Sequence, residues 1–321
     1  MDSAGTEAVF HEGEQQMQSS VAAQARLAAL GSQLIRDHMP EQHRLFFNQL
    51  PFVVVGGVDR QGQPWASLLC NPPGFITSPN PHQLTIAALP TVLDPLSQIL
   101  TVGAAIAVLG IEQHTRRRNR MNGRVIAISS SSIEVAVDQS FGNCPKYIQT
   151  RQAEYWPRSG KMESTEGSVL NARMAQIISN ADTFFITSAH PHAHQQQTAA
   201  QGVDVSHRGG KPGFVRIEGE GRLLVPDLSG NRFFNTIGNL LLNPCAGLLF
   251  IDFNSGDLLY LATEVTIIDQ GAMVESFIGA ERMMAFKINK IIQITAAAPL
   301  RWQGAVELSP FLQGVGEWPV E

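Results

Sequence analysis

The amino-acid sequence predicts a mainly β protein with a helical N-terminus, built from two copies of one β unit. The first fifty residues carry apolar side chains at helical spacing, whereas from Phe52 onward short apolar or β-branched runs alternate with turn residues. Residues 63–86 can also be aligned with residues 202–225. A body made of many short strands is typical of a barrel or a sandwich.

Two helices are predicted before residue 51. The stretch SSVAAQARLAALGSQLIRDHM has helical spacing, with Ser19 or Ser20 as its cap and Pro40 as its stop. The stretch EQHRLFFNQL predicts a second, shorter helix that ends before Pro51. Both helices precede the first predicted strand.

The internal repeat places Ser67 on Ser206 and the Pro-Gly-Phe of 73–75 on that of 212–214. Farther along, residues 94–112 match residues 234–252 in their apolar positions, and another strand follows in each copy. The alternative is chance similarity between two β-rich segments, because the order of four elements agrees but few identities do. The polar stretch EYWPRSGKMESTEGS is the predicted linker.

Composition limits the class of protein. With Lys+Arg 23 against Asp+Glu 28, the net charge of -5 does not favour general binding to nucleic acid or to an anionic membrane. Three widely spaced cysteines without a Cys-x-x-Cys pair fit a reducing compartment. The polar start and the lack of an apolar run of membrane-spanning length lead us to expect a cytoplasmic protein.

The stretch SHRGGKPGFV at 206–215 has the composition of a phosphate-binding loop. A P-loop requires a following helix, yet Lys211 is followed by Pro212 and by a predicted strand, so that motif is excluded. The two copies are complementary in their polar residues. The first has TRRRNRMNGRV at 115–125, and the second has SHRGGK followed by GNRFFNTIGN.

With these motifs assembled, the chain resembles the pyridoxamine 5'-phosphate oxidase-like, FMN-binding split-barrel family, particularly its two-barrel flavin-nucleotide-binding members. The resemblance rests on LPFVVVGGVDRQGQPWAS, TRRRNRMNG, QSFGNCPKYIQ, DVSHRGGKPGFV, PDLSGNRFFNTIGNLLLNP and GLLFIDF. It implies tandem split β-barrels with peripheral helices and FMN in the groove between them. The implied organisation is a helical segment at 1–50, split-barrel domains at 51–150 and 173–300, a linker at 151–172 and a tail at 301–321.

The resemblance also implies which residues bind FMN. A phosphate dianion suits arginines, hydroxyls and the start of a helix, and the implied phosphate ligands are of these kinds: Ser206, Arg208, Arg232, Asn235, Thr236 and Asn239. Arg118 aligns with a flavin-contacting glutamine of the family, which gives three contacts to the isoalloxazine or ribityl chain: Arg117, Arg118 and Asn122. Gln139 and Ser140 resemble a further flavin-contacting pair.

The implied function is that of an FMN-dependent oxidoreductase that passes hydride or electrons between NADH, NADPH or a small substrate and FMN. The alternative is a non-catalytic flavin- or haem-binding module that serves as sensor, carrier or store. Vitamin B6 oxidation is not expected, because Trp65 and Cys70 stand where the family's oxidase has a basic pair. A homodimer is implied, and no catalytic acid or base can be identified.

An arginine-rich run and a histidine-rich run each allow a functional and a purely structural interpretation. On a strand, Arg118, Arg120, Asn122 and Arg124 share one side, which favours anion or flavin contact over a solvated hairpin. The run lacks the interleaved aromatic residues that nucleic-acid stacking requires. The histidines of AHPHAH alternate like metal ligands, but Pro191 predicts an irregular loop, so no metal site is expected.

Overall fold

The computed structural model describes residues 8–157, 161–195, 198–219 and 221–319. Predictions that fall on residues 1–7, on residues 158–160 of the linker or on the last two residues of the tail lie outside the described residues. No helix in the described ranges is long and apolar enough to cross a membrane.

Three helices precede the first strand: α1 (Glu12–Ser20), α2 (Gln24–Leu34) and α3 (Glu41–Asn48). The prediction of α3 is confirmed, but the cap predicted at Ser19 or Ser20 is wrong. Those serines end α1, and the chain then turns at Ala22, whose φ of 52° is left-handed. The polar sequence of α1 gave no apolar stripe, so this helix was not predicted from spacing.

The first half of the β body contains seven strands: β1 (Phe52–Val58), β2 (Pro64–Cys70), β3 (Ile76–Asn80), β4 (Gln83–Ile86), β5 (Ala105–Glu112), β6 (Arg117–Ile128) and β7 (Ile133–Gly142). A turn at 59–62 joins β1 to β2, with the Asp59 amide bonded to the Gln63 carbonyl. A short 3-10 helix, Pro95–Gln98, is capped by Asp94.

The rest of the chain contains β8 (Gln152–Tyr155), β9 (Ser164–Gly167), α4 (Ala172–Asn180), β10 (Thr183–Ala189), β11 (Val203–Gly209), β12 (Arg216–Glu218), β13 (Arg222–Leu228), α5 (Asn235–Leu242), β14 (Cys245–Ile251), β15 (Leu258–Ile268), α6 (Ala272–Glu275), β16 (Ala280–Ile294) and β17 (Leu300–Gln303). As predicted, no helix follows the glycines of 209–213. Strands β8 and β17 pair with each other, and β9 pairs with β16.

The two large antiparallel sheets repeat the same strand order. The first runs β2-β1-β5-β6-β7-β4-β3, and the second runs β11-β10-β14-β15-β16-β13-β12. Each element of one sheet therefore has a counterpart in the other, which confirms the mainly β fold and the repeat. Among the described residues, the two ends of each strand path are not paired with each other, so neither sheet closes into a continuous barrel.

The two halves pack face to face through a shared hydrophobic core. This core includes Val54 and Leu69 from the first sheet together with Phe185 and Leu249 from the second. Strands β2 and β14 approach so closely that a Cβ added at Gly247 would lie 2.3 Å from the Pro64 carbonyl oxygen. Only glycine permits this approach. At the equivalent border, β11 of the second half contacts β5 and β6 of the first.

Candidate functional site

A small polar cavity of about 90 Å³ lies where the two halves meet. Strand β6 supplies Arg118 and Arg120 from the first half, and β11 supplies Ser206 and Arg208 from the second. The loop before α5 and its first turn supply Arg232, Asn235 and Thr236, while Arg282 comes from β16. The cavity therefore needs both copies of the repeat.

Strand alternation explains which side chains of β6 and β11 reach the cavity. Residues two apart on a strand point to the same face, so Arg118, Arg120 and Asn122 share one side of β6. Arg120 and Asn122 face Asp204 across the border, and Arg118 donates to the His207 carbonyl at 3.2 Å. The predicted fourth member of this face, Arg124, does not line the cavity, because a β-bulge interrupts the pairing of β6 with β7 after Asn122. Its guanidinium lies 3.9 Å from Asp138 instead.

A buried hydrogen-bond network forms the inner wall of the cavity. Arg120, only 3% exposed, donates to the Asp204 carboxylate at 2.7 Å and also donates to the Ser206 hydroxyl. The amides of Asn122 and Asn239 donate to the same carboxylate at 2.9 and 3.0 Å, and the Thr236 hydroxyl donates to Ser206 at 3.0 Å. This network fixes the side chains of both halves before any ligand arrives.

The outer part of the cavity is rich in arginine. Five guanidinium groups line the cavity as a whole, together with only two carboxylates, those of Asp227 and Glu281. Arg282 pairs with Asp227 at 2.5 Å, whereas Arg208 lies 3.8 Å from the same carboxylate, and its Nε has no hydrogen-bond partner among the described residues. The excess of positive charge and the unused donor suit an anion.

Burial and mutual repulsion perturb the basic groups of the cavity. Burial and, to a smaller extent, the neighbouring Arg208 lower the pKa of Arg118 to about 9. Burial likewise lowers the pKa of Arg208. The pKa of His207 falls well below its usual value because the ring is buried and faces Arg118, so the imidazole is neutral. A bound anion would relieve the repulsion between these guanidinium groups.

The loop before α5 holds a conformation that side chains rarely adopt. Arg232 and Phe234 have φ values of 63° and 62°, in the left-handed region that favours glycine. Such conformations cost free energy and concentrate at functional sites, where the surrounding structure imposes them. Here they bring Arg232 to the cavity next to the first turn of α5, with its guanidinium 3.4 Å from Glu281.

The structure brings together six of the eleven predicted FMN-binding residues, which line the cavity: Arg118, Ser206, Arg208, Arg232, Asn235 and Thr236. Asn122 and Asn239 lie behind them, bonded to Asp204. Arg117 does not line the cavity, because it points to the other face of β6, where its guanidinium lies 4.9 Å from the Phe46 ring centroid. Its role as a flavin contact stays a prediction.

Gln139 and Ser140 are separated from the cavity by the N-terminal segment. The Gln139 amide donates to the Val9 carbonyl at 3.1 Å, and the backbone of Ser140 pairs in both directions with Arg36. The Ser140 hydroxyl is 2.9 Å from the His43 ring. Flavin contact by this pair also stays a prediction.

Five charged residues of the site were absent from the predicted FMN-binding set: Arg120, Asp204, Asp227, Glu281 and Arg282. Of these, only Arg120 was predicted to face an anion or flavin, on the shared side of its strand. The two-residue spacing from Arg118 to Arg120 and from Asp204 to Ser206 was the available signal. Asp227 and Arg282 had no such signal, because β13 and β16 reach the cavity only through the topology of the second sheet.

The corresponding position in the other half of the repeat has the opposite chemistry. Ser67 occupies the place of Ser206 on its strand, but its hydroxyl donates to the Asp94 carboxylate at 2.5 Å. Tyr260 faces Leu249 as Arg120 faces Leu109, and it also donates to Asp94 at 2.8 Å. Burial raises the pKa of Asp94 to about 6. A carboxylate at this position disfavours a second anion.

The histidines of the AHPHAH loop were tested as metal ligands. His190 lies beside His11 and Glu12, with one ligand atom of each within 4.8 Å of the others. However, Nδ1 of His11 accepts from the Gly13 amide and Nδ1 of His190 accepts from the His192 amide. A neutral imidazole whose Nδ1 accepts a hydrogen bond carries its proton on Nε2, so such a ring has no free lone pair for a metal.

Glu14 of α1 is a buried acid beside the start of α5. Its carboxyl group accepts from the His11 amide at 2.9 Å and from the Asn235 side chain. Burial raises the pKa of Glu14 well above its ordinary value, and the nearby Asp204 raises it further. Burial therefore favours the protonated form of the Glu14 carboxyl group in the folded protein.

We expect Glu14→Gln to stabilise the protein at pH 8 and to have little effect at pH 4. Because the folded pKa is raised, the contribution of Glu14 is fully present below its unfolded pKa and is lost as pH rises through the folded pKa. Each unit of that rise is worth about 1.4 kcal/mol. Urea unfolding across this pH range measures the difference, with exposed Glu275→Gln as the control. Parallel stability curves for wild type and Glu14→Gln would contradict the assignment.

Comparisons with known proteins give similarities of fold at low identity. No family model matches the chain, and no curated protein matches it. Three solved structures resemble part of it. HupZ from Group A Streptococcus is 11% identical, with 38% of this chain and 91% of that chain covered and a TM-score of 0.30. An FMN-binding protein from Syntrophomonas wolfei is 14% identical, with 36% and 80% covered and a TM-score of 0.26. HutZ, the heme storage protein from Vibrio cholerae, is 12% identical, with 43% and 94% covered and a TM-score of 0.24.

Proposed function

We propose that this chain is an FMN-binding flavoprotein whose cavity holds the phosphate of FMN. The observation that carries the proposal is the arginine-rich cavity at the border of the two halves, with its unused Arg208 donor. Its volume of about 90 Å³ suits a phosphate group and is well below the ~300–1,000 Å³ of pockets that enclose drug-sized ligands. Arg208 and Arg232 would bind the phosphate, and Thr236 and Asn235 would orient it at the first turn of α5.

The proposed activity is that of an oxidoreductase with NADH, NADPH or a small substrate as the partner in electron transfer. Bound FMN would supply the hydride or electron chemistry, and the chain would supply position and electrostatics. Arg118 would add positive charge between the phosphate and the rest of the flavin. The resemblance to the split-barrel family also supports a homodimer that carries two FMN in total.

The second candidate function is a non-catalytic flavin-binding module. The cavity lining favours this function, because both of its carboxylates, on Asp227 and Glu281, lie within 4 Å of arginines among the described residues. A carboxylate held in an ion pair is a poor acid or base for catalysis. A haem-binding module is less well supported. The one histidine that lines the cavity, His207, has its ring nitrogens 3.3 Å from Arg118 and 3.4 Å from Thr183.

We expect the purified full-length chain to bind one FMN, because the position equivalent to Ser206 in the other half is occupied by the Ser67–Asp94–Tyr260 network. A visible spectrum and a fluorescence titration with FMN, with released flavin quantified against chain concentration, measure this ratio. A colourless protein that takes up no FMN would overturn the proposal, and a ratio near two would overturn the single site. Anaerobic addition of NADH or NADPH then separates the candidates, because only an oxidoreductase would show rapid bleaching.

A further inference from the structure

Two spaces in the molecule are separated by three phenylalanine rings. The phosphate-sized cavity lies on one side, and on the other an apolar cleft of about 830 Å³ lies between α1, α2 and β7. We call Phe10, Phe141 and Phe233 the aromatic wall; each is at most 3% exposed. The cleft is large enough for a ring system, and the cavity is not.

Contacts on each side place the wall between the two spaces. The Arg120 guanidinium, which lines the cavity, lies 5.3 Å from the Phe141 ring centroid. Phe233 is flanked in sequence by Arg232 and Phe234, both of which line the cavity. Phe10 lines the cleft and packs edge-on against Phe233 at 5.3 Å between centroids. The aromatic wall therefore contacts residues of the cavity on one side and lines the cleft on the other.

The cleft offers both apolar and polar side chains to a planar aromatic group. Val9, Ala28 and Ile35 provide apolar surface, and the amide of Gln139 and charged groups such as Arg36 also line the cleft. Gln139 is a predicted flavin contact, and it faces the cleft while the predicted phosphate ligands face the cavity. A molecule with a phosphate at one end and a ring system at the other would have to cross the wall.

Phe10 is the member of the wall that belongs to the N-terminal helical segment. Phe141 lies in β7, where it is paired with Arg120 of β6, and Phe233 is held between two residues with left-handed backbone. Phe10 precedes α1, which is seated on α5 through a close glycine contact: a Cβ added at Gly13 would lie 2.2 Å from the Gly238 carbonyl oxygen. An isolated helix of nine residues is not stable in water, so α1 would unfold when it leaves this seat.

We propose that Phe10 occupies the place of the ring system of a phosphate-bearing planar ligand, and that α1 leaves α5 when such a ligand binds. This inference rests on the proposed binding of FMN. The incoming ring replaces Phe10 against Phe141 and Phe233, and Gln139 exchanges its bond to the Val9 carbonyl for one to the ligand. Inorganic phosphate fills the cavity without crossing the wall, so it leaves α1 in place.

Hydrogen exchange on the full-length chain tests the proposal. Saturating FMN is expected to speed exchange of the α1 amides at least about tenfold, because α1 is no longer packed on α5. Inorganic phosphate is expected to leave their exchange unchanged. If FMN binds and the exchange of these amides is unchanged or slower, the proposed departure of α1 from α5 is overturned while the proposed function stands. If FMN binds to no form of the protein, both are overturned.

The variant Phe10→Ala tests the same proposal by kinetics. Removing the ring is expected to speed FMN association about tenfold, because the place of the ligand ring is no longer filled by Phe10. The affinity for inorganic phosphate is expected to be unchanged. Phe277→Ala, which removes a buried ring in a separate cluster, is the matched control. Equal association rates for wild type and Phe10→Ala would contradict the proposed departure of α1.

Discussion

The variant Arg120→Met is expected to lower the free energy of unfolding by about 3–5 kcal/mol, because it leaves a buried carboxylate without its charge partner. Asp204 is 7% exposed and would keep only the amides of Asn122 and Asn239. Ser206 would also lose a donor, and Phe141 would lose the guanidinium above its ring. Urea denaturation at pH 7 measures the loss.

Two further variants separate the ion pair from general damage. Removing both charges in Arg120→Met/Asp204→Asn should recover much of the lost stability, because no unpaired carboxylate remains buried. Breaking the exposed pair of Arg301 and Glu154 by Arg301→Met should cost less than about 1 kcal/mol. An additive double variant, or equal losses for Arg120→Met and Arg301→Met, would show that the Arg120–Asp204 pair does not have this role.

Arg208→Ala is expected to weaken FMN binding ten- to a hundredfold. The change removes a charge-assisted hydrogen bond to phosphate, worth about 1.5–3 kcal/mol. Arg208 is not closely paired, since its nearest carboxylate, on Asp227, is 3.8 Å away and also bonded to Arg282. Its loss should therefore affect binding more than folding. Arg232→Ala should weaken binding by a similar factor, and titration of flavin fluorescence measures both.

The matched control for these variants is Arg60→Ala, which removes an exposed arginine from the turn between β1 and β2. It should leave the dissociation constant for FMN unchanged. Unchanged binding in both Arg208→Ala and Arg232→Ala would place the phosphate elsewhere. A comparable loss in Arg60→Ala would indicate a general effect of net charge in place of a defined site.

The β body could be predicted from the sequence because its signals are local. Alternating apolar runs mark the strands, and the aligned repeat predicts that β1–β7 and β10–β16 share one topology. Helix α1 could not be predicted in this way, because its sequence is polar. It is held by the contact of Gly13 with Gly238 and by the buried Glu14, which are tertiary features.

The candidate site divides along the same line. Arg118 and Arg120 share one face of β6, and Ser206 and Arg208 share one face of β11, which spacing alone predicts. Arg282 joins them only because β16 pairs with β13, a relation between distant parts of the sequence. The covering of Gln139 by Val9 likewise depends on where the N-terminal segment packs.

Placing both sheets in one chain also removes a dependence on protein concentration. Where a site lies between two separate subunits, dilution separates the subunits and dismantles the site. Here the contact of β2 with β14 and the bonds from Arg120 to Asp204 and Ser206 are intramolecular, so the effective concentration of one half around the other is fixed by the connecting chain. The cavity should stay assembled at the lowest protein concentrations, whatever larger assembly the chain forms.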